Sequence, residues 1–188
     1  AFLKPHGRWF PVDVSTSAQA TIGGMTGNNS CGSRSIAYGN MVHNVAEIEA
    51  ILSDGIVERF GPFGVDAQRP MASARTAELV SRLFAIGRRE RDEIERTWPK
   101  VLRRIGGYNL DVFHPQSPRP YTADGSVNLA HLLVGSEGTL AWFKRIVLAL
   151  APLPKARVLG VVNFPTFRAA VESAQHIVKL APTAVELV

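Results

Sequence analysis

From Val12 to Asn44 the chain is rich in Gly, Ser, Thr and Asn and poor in large apolar side chains. Such a stretch buries too little apolar surface to hold its own conformation, which predicts loop and turn rather than a packed element. The elements around it must hold it in place. Its densest part runs from Thr21 through Ile22, Gly23, Gly24, Met25, Thr26, Gly27, Asn28, Asn29, Ser30, Cys31, Gly32, Ser33 and Arg34 to Ser35. Glycines let a backbone approach a ligand closely and aim N–H groups at its oxygen atoms, and Asn, Ser and Thr add adaptable polar contacts. That chemistry suits a large polar cofactor. The segment is no P-loop, because no Gly-Lys-Ser/Thr ending is present, and no dinucleotide fingerprint of the strand–GxGxxG–helix kind. A glycine-rich surface loop remains the plain alternative.

The flanking sequence can supply the missing core. Of the 188 residues 46% are hydrophobic and 20% charged, the balance of a globular chain long enough to bury a core. Val45, Ile48, Ile51 and Leu52, then Asp54-Gly55, then Ile56, Val57 and Phe60 predict two antiparallel strands joined by a two-residue turn. Ala46 to Ala50 could alternatively begin as a helical turn. From Ser73 the period changes: Ala77, Val80, Leu83 and Phe84, then Ile94, Trp98, Val101, Leu102 and Ile105 recur at helical steps, as one long helix or two short ones. Pro99 and the Gly106-Gly107 pair end the helical region. A proline-rich loop through Pro115, Pro118 and Pro120 follows, then a short helix over Val127–Val134 and a strand over Thr139–Leu150. Pro152-Leu153-Pro154 marks a boundary. Beyond it, Arg157–Phe164 reads as a strand, Thr166–Leu180 as a helix capped by Thr166, and Thr183–Val188 as a second strand, together a βαβ unit.

Other signals mostly exclude. The net charge is +5, and Arg82, Arg88, Arg89, Arg91, Arg96, Lys100, Arg103 and Arg104 fall in one segment, as in a nucleic-acid or anionic-surface binding module. Glu90, Asp92, Glu93 and Glu95 dilute that patch, which favours a solvated helix face. Arg34 or the Arg103–Arg104 pair could also grip a carboxylate. One cysteine excludes an internal disulfide and points to a reducing, cytoplasmic setting. The histidines, His6, His43, His114, His131 and His176, show no ligand spacing, so no metal site is expected. The longest apolar stretch, Ile146 to Pro154, is far short of the roughly 20 residues of a membrane-spanning helix. A start without methionine and an apolar finish over Ala184–Val188 read as cut edges of a longer protein.

A second segment, Gly135-Ser136-Glu137-Gly138-Thr139-Leu140, sits at a helix-to-strand junction and lacks the spacing of a nucleophile elbow. A tight turn is its simplest reading. In order along the chain stand Pro11-Val12-Asp13, Thr21 to Gly39, the Asp54-Gly55 hairpin, Gly107-Tyr108-Asn109-Leu110 and Gly135 to Leu140, followed by a strand and Pro152-Leu153-Pro154. This order resembles the FAD-linked oxidase family of the vanillyl-alcohol-oxidase type, in its D-lactate, glycolate and D-2-hydroxyglutarate dehydrogenase branch. The resemblance covers nearly the whole chain. It departs at Ala141, where the family usually has a second glycine.

The resemblance implies an α+β fold: residues 1–154 as the second half of a PCMH-type FAD-binding domain, mostly antiparallel sheet with flanking helices, and residues 155–188 as the first βαβ of a ferredoxin-like cap. It implies FAD as cofactor, held by Pro11, Asp13, Ile22, Gly23, Gly24, Asn28, Asn29, Cys31, Gly32, Ser33, Gly135, Ser136, Glu137 and Gly138. Cys31 could carry a covalent flavin or be a small packed thiol. The substrate would be a 2-hydroxy acid, with Arg34 and Asn109 as candidate contacts, and the electron acceptor is left open. Catalytic residues are expected in the absent cap, so that the chain alone would be inactive; the protein would be cytoplasmic, or peripheral to the inner membrane in its full length, and without nucleic acid. An inactive scaffold that covers its cut faces by forming a homodimer is the remaining alternative.

Overall fold

A computed structural model describes residues 2–63, 71, 73–113, 121–124 and 126–188. The predicted proline-rich loop through Pro115, Pro118 and Pro120, and His114, lie outside the described residues. The strands are β1 (Arg8–Trp9), β2 (Val45–Ile51), β3 (Val57–Phe60), β4 (Trp142–Leu148) and β5 (Ala151–Pro152). The α-helices are α1 (Ile22–Gly27), α2 (Ser35–Tyr38), α3 (Met41–Asn44), α4 (Ala74–Arg89), α5 (Arg91–Thr97), α6 (Ala130–Leu133) and α7 (Phe167–Ile177).

The central sheet is antiparallel in the order β3-β2-β4, with Ile48 opposite Phe60 on one side and Ile146 on the other. The predicted hairpin is present, but its turn is longer than two residues. Leu52 N–H bonds to Ile56 O and Gly55 N–H to Leu52 O, and only Gly55 adopts positive φ, at 82°. This is the three-residue loop in which a left-handed glycine closes a type I turn. Asp54 Oδ1 accepts from Ile56 N–H, which fixes the loop from the side-chain end.

One face of β2 turns Val45, Ile48 and Ala50 into the core, against Met41, Val42, Leu129, Ala130 and Val134. Burying a side chain such as Ile48 or Met41 contributes about 2 kcal/mol. The opposite face is charged: Glu47 pairs with Arg59, and Glu49 with Lys144 at 2.6 Å and Arg145 at 3.5 Å. The segment expected to be loop and turn instead contains α1, α2 and α3. Met41 and Val42 there are fully buried, and these two apolar residues outweigh the polar composition around them.

Hydroxyl caps start three of the helices. Thr21, Ser73 and Thr166 each accept a hydrogen bond from the N–H three residues on, in α1, α4 and α7. A cap of this kind is worth about 1 kcal/mol. The helical region divides at Glu90 into α4 and α5, and Trp98, forced to extended ψ before Pro99, ends it. The predicted continuation through Val101, Leu102 and Ile105 is not helical, and all three are exposed. The predicted helix over Val127–Val134 shortens to α6.

The second expectation to fail is the βαβ unit. Helix α7 forms with its Thr166 cap, but Arg157–Phe164 and Thr183–Val188 are not strands. Val158, Leu159 and Val161 are 95%, 87% and 77% exposed. Apolar β-formers make a strand only where a neighbouring strand accepts their backbone bonds, and the described residues supply none here.

A buried histidine ties α6 to the sheet. His131 is 2% exposed, and its Nε2 lies 2.9 Å from Val45 O as donor. Burial pushes its pKa down to about 4, so the ring stays neutral in the fold. A base with a depressed folded pKa contributes its full stability above the unfolded value of 6.5 and loses it as pH falls from there toward 4. The loss should reach roughly 3 kcal/mol. We expect His131→Gln, which keeps a donor but does not titrate, to show a shallower fall in urea midpoint between pH 7 and pH 4.5 than the parent chain; equal slopes would contradict this.

Candidate functional site

The two glycine-bearing segments, more than a hundred residues apart in sequence, meet. Thr26 O accepts from Gly135 N–H at 3.0 Å and Gly27 O from Glu137 N–H at 2.9 Å, so the C-terminal end of α1 is bonded to the 135–138 turn. The turn needs three left-handed residues in four: Gly135 (φ 87°), Glu137 (φ 51°) and Gly138 (φ 79°). Thr139 clamps it by donating its N–H and its hydroxyl to Ser136 O, and Tyr108 Oη lies 2.8 Å from Thr139 Oγ1.

Between them opens a cleft of about 440 Å³, lined by Gly23, Gly24, Gly27 and Asn28 of α1 and its cap, Glu137 and Gly138 of the turn, and Ala141, Trp142 and Phe143 at the start of β4. A Cβ placed on Gly23 or Gly138 would meet no heavy atom within 4 Å. Those glycines therefore present bare backbone to open space. The hydroxyl of Ser136 is buried beside them with no hydrogen-bond partner among the described residues. Open glycine faces and an unpaired buried hydroxyl are what a close-lying polar ligand would use.

Most of the predicted site residues fall into two groups. Gly23, Gly24, Asn28, Glu137 and Gly138 line the cleft. Asp13, Asn29, Gly32, Ser33 and Gly135 instead bind one another or the surrounding chain. Asp13 accepts from the Ser33 hydroxyl at 3.0 Å and from Arg34 N–H at 3.2 Å. Gly32 has a steric reason to be glycine, since a Cβ there would overlap both the backbone and the carboxylate of Asp13. Pro11 is buried, Ile22 is exposed on α1, and Cys31 is a half-buried free thiol.

Neither candidate substrate contact lines the cleft. The Arg34 guanidinium lies 5.2 Å from the centroid of Trp9, over its ring, and 3.9 Å from Asp13. Asn109 is 2% exposed and donates to His131 O and Val134 O at 2.9 Å each, while its oxygen faces Arg104 and Tyr121. It is an interior fastening. Sequence reading missed Gly27, Ala141, Trp142 and Phe143 as lining residues. Their signal was adjacency, since each directly neighbours a motif residue or follows the turn into β4.

The basic segment is mostly committed to its own neighbours. Arg96 pairs with Glu93 at 2.7 Å, Arg89 with Glu90 at 2.6 Å, and Arg103 donates to Gly32 O at 3.2 Å. The Arg104 side chain is 9% exposed and grips Asp111 through two nitrogens at 2.6 and 2.7 Å. Burial pushes the Asp111 carboxyl above its ordinary range, and the hydrogen bonds and charge of Arg104 offset only part of that rise. Among the described residues no group of His, Cys, Asp and Glu could hold a metal ion, and no helix is long and apolar enough to cross a membrane.

Residues 1–61 match the FAD binding domain family. The chain is 32% identical to a D-2-hydroxyglutarate dehydrogenase of Pseudomonas putida, over all of this chain and 18% of that protein. It is 28% identical to a protein named probable mitochondrial D-lactate dehydrogenase of Danio rerio, over 95% of this chain and 25% of that one. It is 23% identical to the glycolate oxidase subunit GlcD of Bacillus subtilis, over 98% of this chain and 28% of the subunit. The chain thus spans between 18% and 28% of these relatives, which are the branch that its motifs resemble.

We expect Gly32→Ala to lower stability by about 1–3 kcal/mol, since the Asp13 backbone must shift to admit a methyl group. Gly23→Ala, facing open space within a helix, should stay within about 1 kcal/mol of the parent. Urea unfolding of the two variants decides it, and equal midpoints would remove the steric account of Gly32.

Proposed function

Residues 1–61 match the FAD binding domain family, and from that match we propose that the cleft between α1 and the 135–138 turn holds part of an FAD molecule. The observation that carries this reading is the bonding of two distant glycine-bearing segments around one cleft with open glycine faces. Gly23, Gly24, Asn28, Glu137 and Gly138 would touch the cofactor, and the Ser136 hydroxyl could turn to it. Asp13, Asn29, Gly32, Ser33 and Gly135 would act one step behind, by keeping those backbone faces in place. Cys31 serves that packing as a small thiol.

The longer protein would oxidise a 2-hydroxy acid of the D-lactate, glycolate or D-2-hydroxyglutarate kind. Bound flavin supplies the hydride acceptor, and the protein supplies position and electrostatics. Residues 1–154 would form the second half of a PCMH-type FAD-binding domain, and residues 155–188 would begin a ferredoxin-like cap that carries substrate contacts and the base. The bare apolar stretch Val158–Val162 and the uncovered α7 support that division, because both need further chain, or a second copy, to cover them. Electron transfer to a separate acceptor and a cytoplasmic location complete the reading.

Titration with FAD, followed by flavin fluorescence, tests it. We expect saturable binding that Gly23→Val weakens about tenfold or more by filling the cleft, with an unchanged thermal midpoint. Equal affinity of parent and variant would remove the cofactor from this cleft. The isolated chain should not turn over D-lactate or D-2-hydroxyglutarate.

A further inference from the structure

The three tryptophans sit in very different surroundings. The Trp9 ring lies under the Arg34 guanidinium at 5.2 Å and meets Tyr38 edge-on at 5.4 Å. The Trp98 ring lies under Arg104 at 5.3 Å. Trp142 is 65% exposed and lines the cleft, where β4 leaves the 135–138 turn. A large flat apolar side chain exposed at the wall of a cleft with a glycine floor offers one clear service, a face on which a planar ring can stack.

We propose that Trp142 stacks on the adenine ring of the dinucleotide and thereby fixes the adenosine half in the cleft. The proposal rests on the FAD reading and adds which half of the molecule lies here. The charge of the cleft separates the two halves. Glu137 lines the same cleft, and its carboxylate has no ion pair or hydrogen bond with the described residues. Its backbone is pinned by Gly27 O in a left-handed conformation that side chains rarely adopt, so the side chain starts from a fixed point on the cleft wall. Adenine is neutral and offers an amine donor that a carboxylate accepts. A flavin gains negative charge when it accepts a hydride, and a neighbouring carboxylate would oppose that. Phe143 and Ala141 complete an apolar lining suited to a neutral ring.

The test uses the 188-residue chain and its variants Trp142→Phe and Trp142→Thr, the latter β-branched to keep the strand. FAD affinity is measured by flavin fluorescence, and AMP and FMN are used separately as probes of each half through tryptophan fluorescence. We expect Trp142→Thr to bind FAD about tenfold more weakly, Trp142→Phe to stay within about threefold, and AMP but not FMN to quench emission that is lost in both variants. Parent-like FAD affinity in Trp142→Thr would overturn the stacking role and leave the FAD site standing. Quenching of Trp142 by FMN and not by AMP would overturn the choice of the adenosine half. Failure of the parent chain to bind FAD would overturn this proposal together with the function on which it rests.

Discussion

A guanidinium that is only 9% exposed has to be neutralised where it sits, and Arg104 is neutralised by a carboxylate that is itself 1% exposed. The Asp111 pair is bidentate, Tyr121 Oη adds a third hydrogen bond to the carboxylate at 3.0 Å, and the guanidinium lies over the rings of Trp98 and Tyr121, 5.3 Å from each centroid. Removing one partner of such a pair strands a buried charge, at a cost of about 3–5 kcal/mol. The pair matters here because of what hangs from the backbone of Arg104. Its carbonyl accepts from Asn29 Nδ2 at 3.3 Å and from Asn40 Nδ2 at 3.2 Å. The loop that is too polar to pack itself is thus hung on the main chain of a residue locked by its own side chain.

From that anchor a set of buried asparagines carries the arrangement outward. Asn29, in left-handed conformation, accepts from Val42 N–H at 3.0 Å and so joins the end of α1 to α3. Asn44 donates to Tyr38 O and Asn40 O, Asn109 to His131 O and Val134 O, and Asn128 to Ala46 O. Each amide satisfies backbone groups that short helices and tight turns leave without partners. The result is a segment of irregular backbone, fixed at its polar groups, whose glycine faces stay open on the cleft side. Position rather than reactivity is what this part of the chain contributes, which is the service that the proposed flavin site requires.

Much of this was legible in the residues. The hairpin, the helix starts at Ser73 and Thr166 and the stop before Pro99 follow from local chemistry that acts within a few residues, and all four are present. The turn length was misjudged because Asp54-Gly55 also fits a three-residue loop in which Gly55 alone is left-handed. The strands expected at Arg157–Phe164 and Thr183–Val188 are absent, because a strand needs a partner and local sequence cannot report whether one is near. Among site residues, the glycines of the cleft were visible as glycines. Whether each was open, like Gly23, or pressed against Asp13, like Gly32, depends on contacts distant in sequence. Arg104 read as one of a run of basic residues, since nothing in its neighbours reveals that Asp111 and two aromatic rings enclose it.

The central claim is that the Arg104–Asp111 pair holds the loop that borders the cleft, and native-state hydrogen exchange of the parent chain and Asp111→Asn tests it most directly. The amides to follow are Met41, bonded to Ser30 O, and Val42, bonded to Asn29 Oδ1, with the interior of α4 as reference. The account predicts that Asp111→Asn makes Met41 and Val42 exchange at least about tenfold faster while α4 is affected less. Unchanged protection at Met41 and Val42 would contradict it, because the loop would then be held by something other than this buried pair.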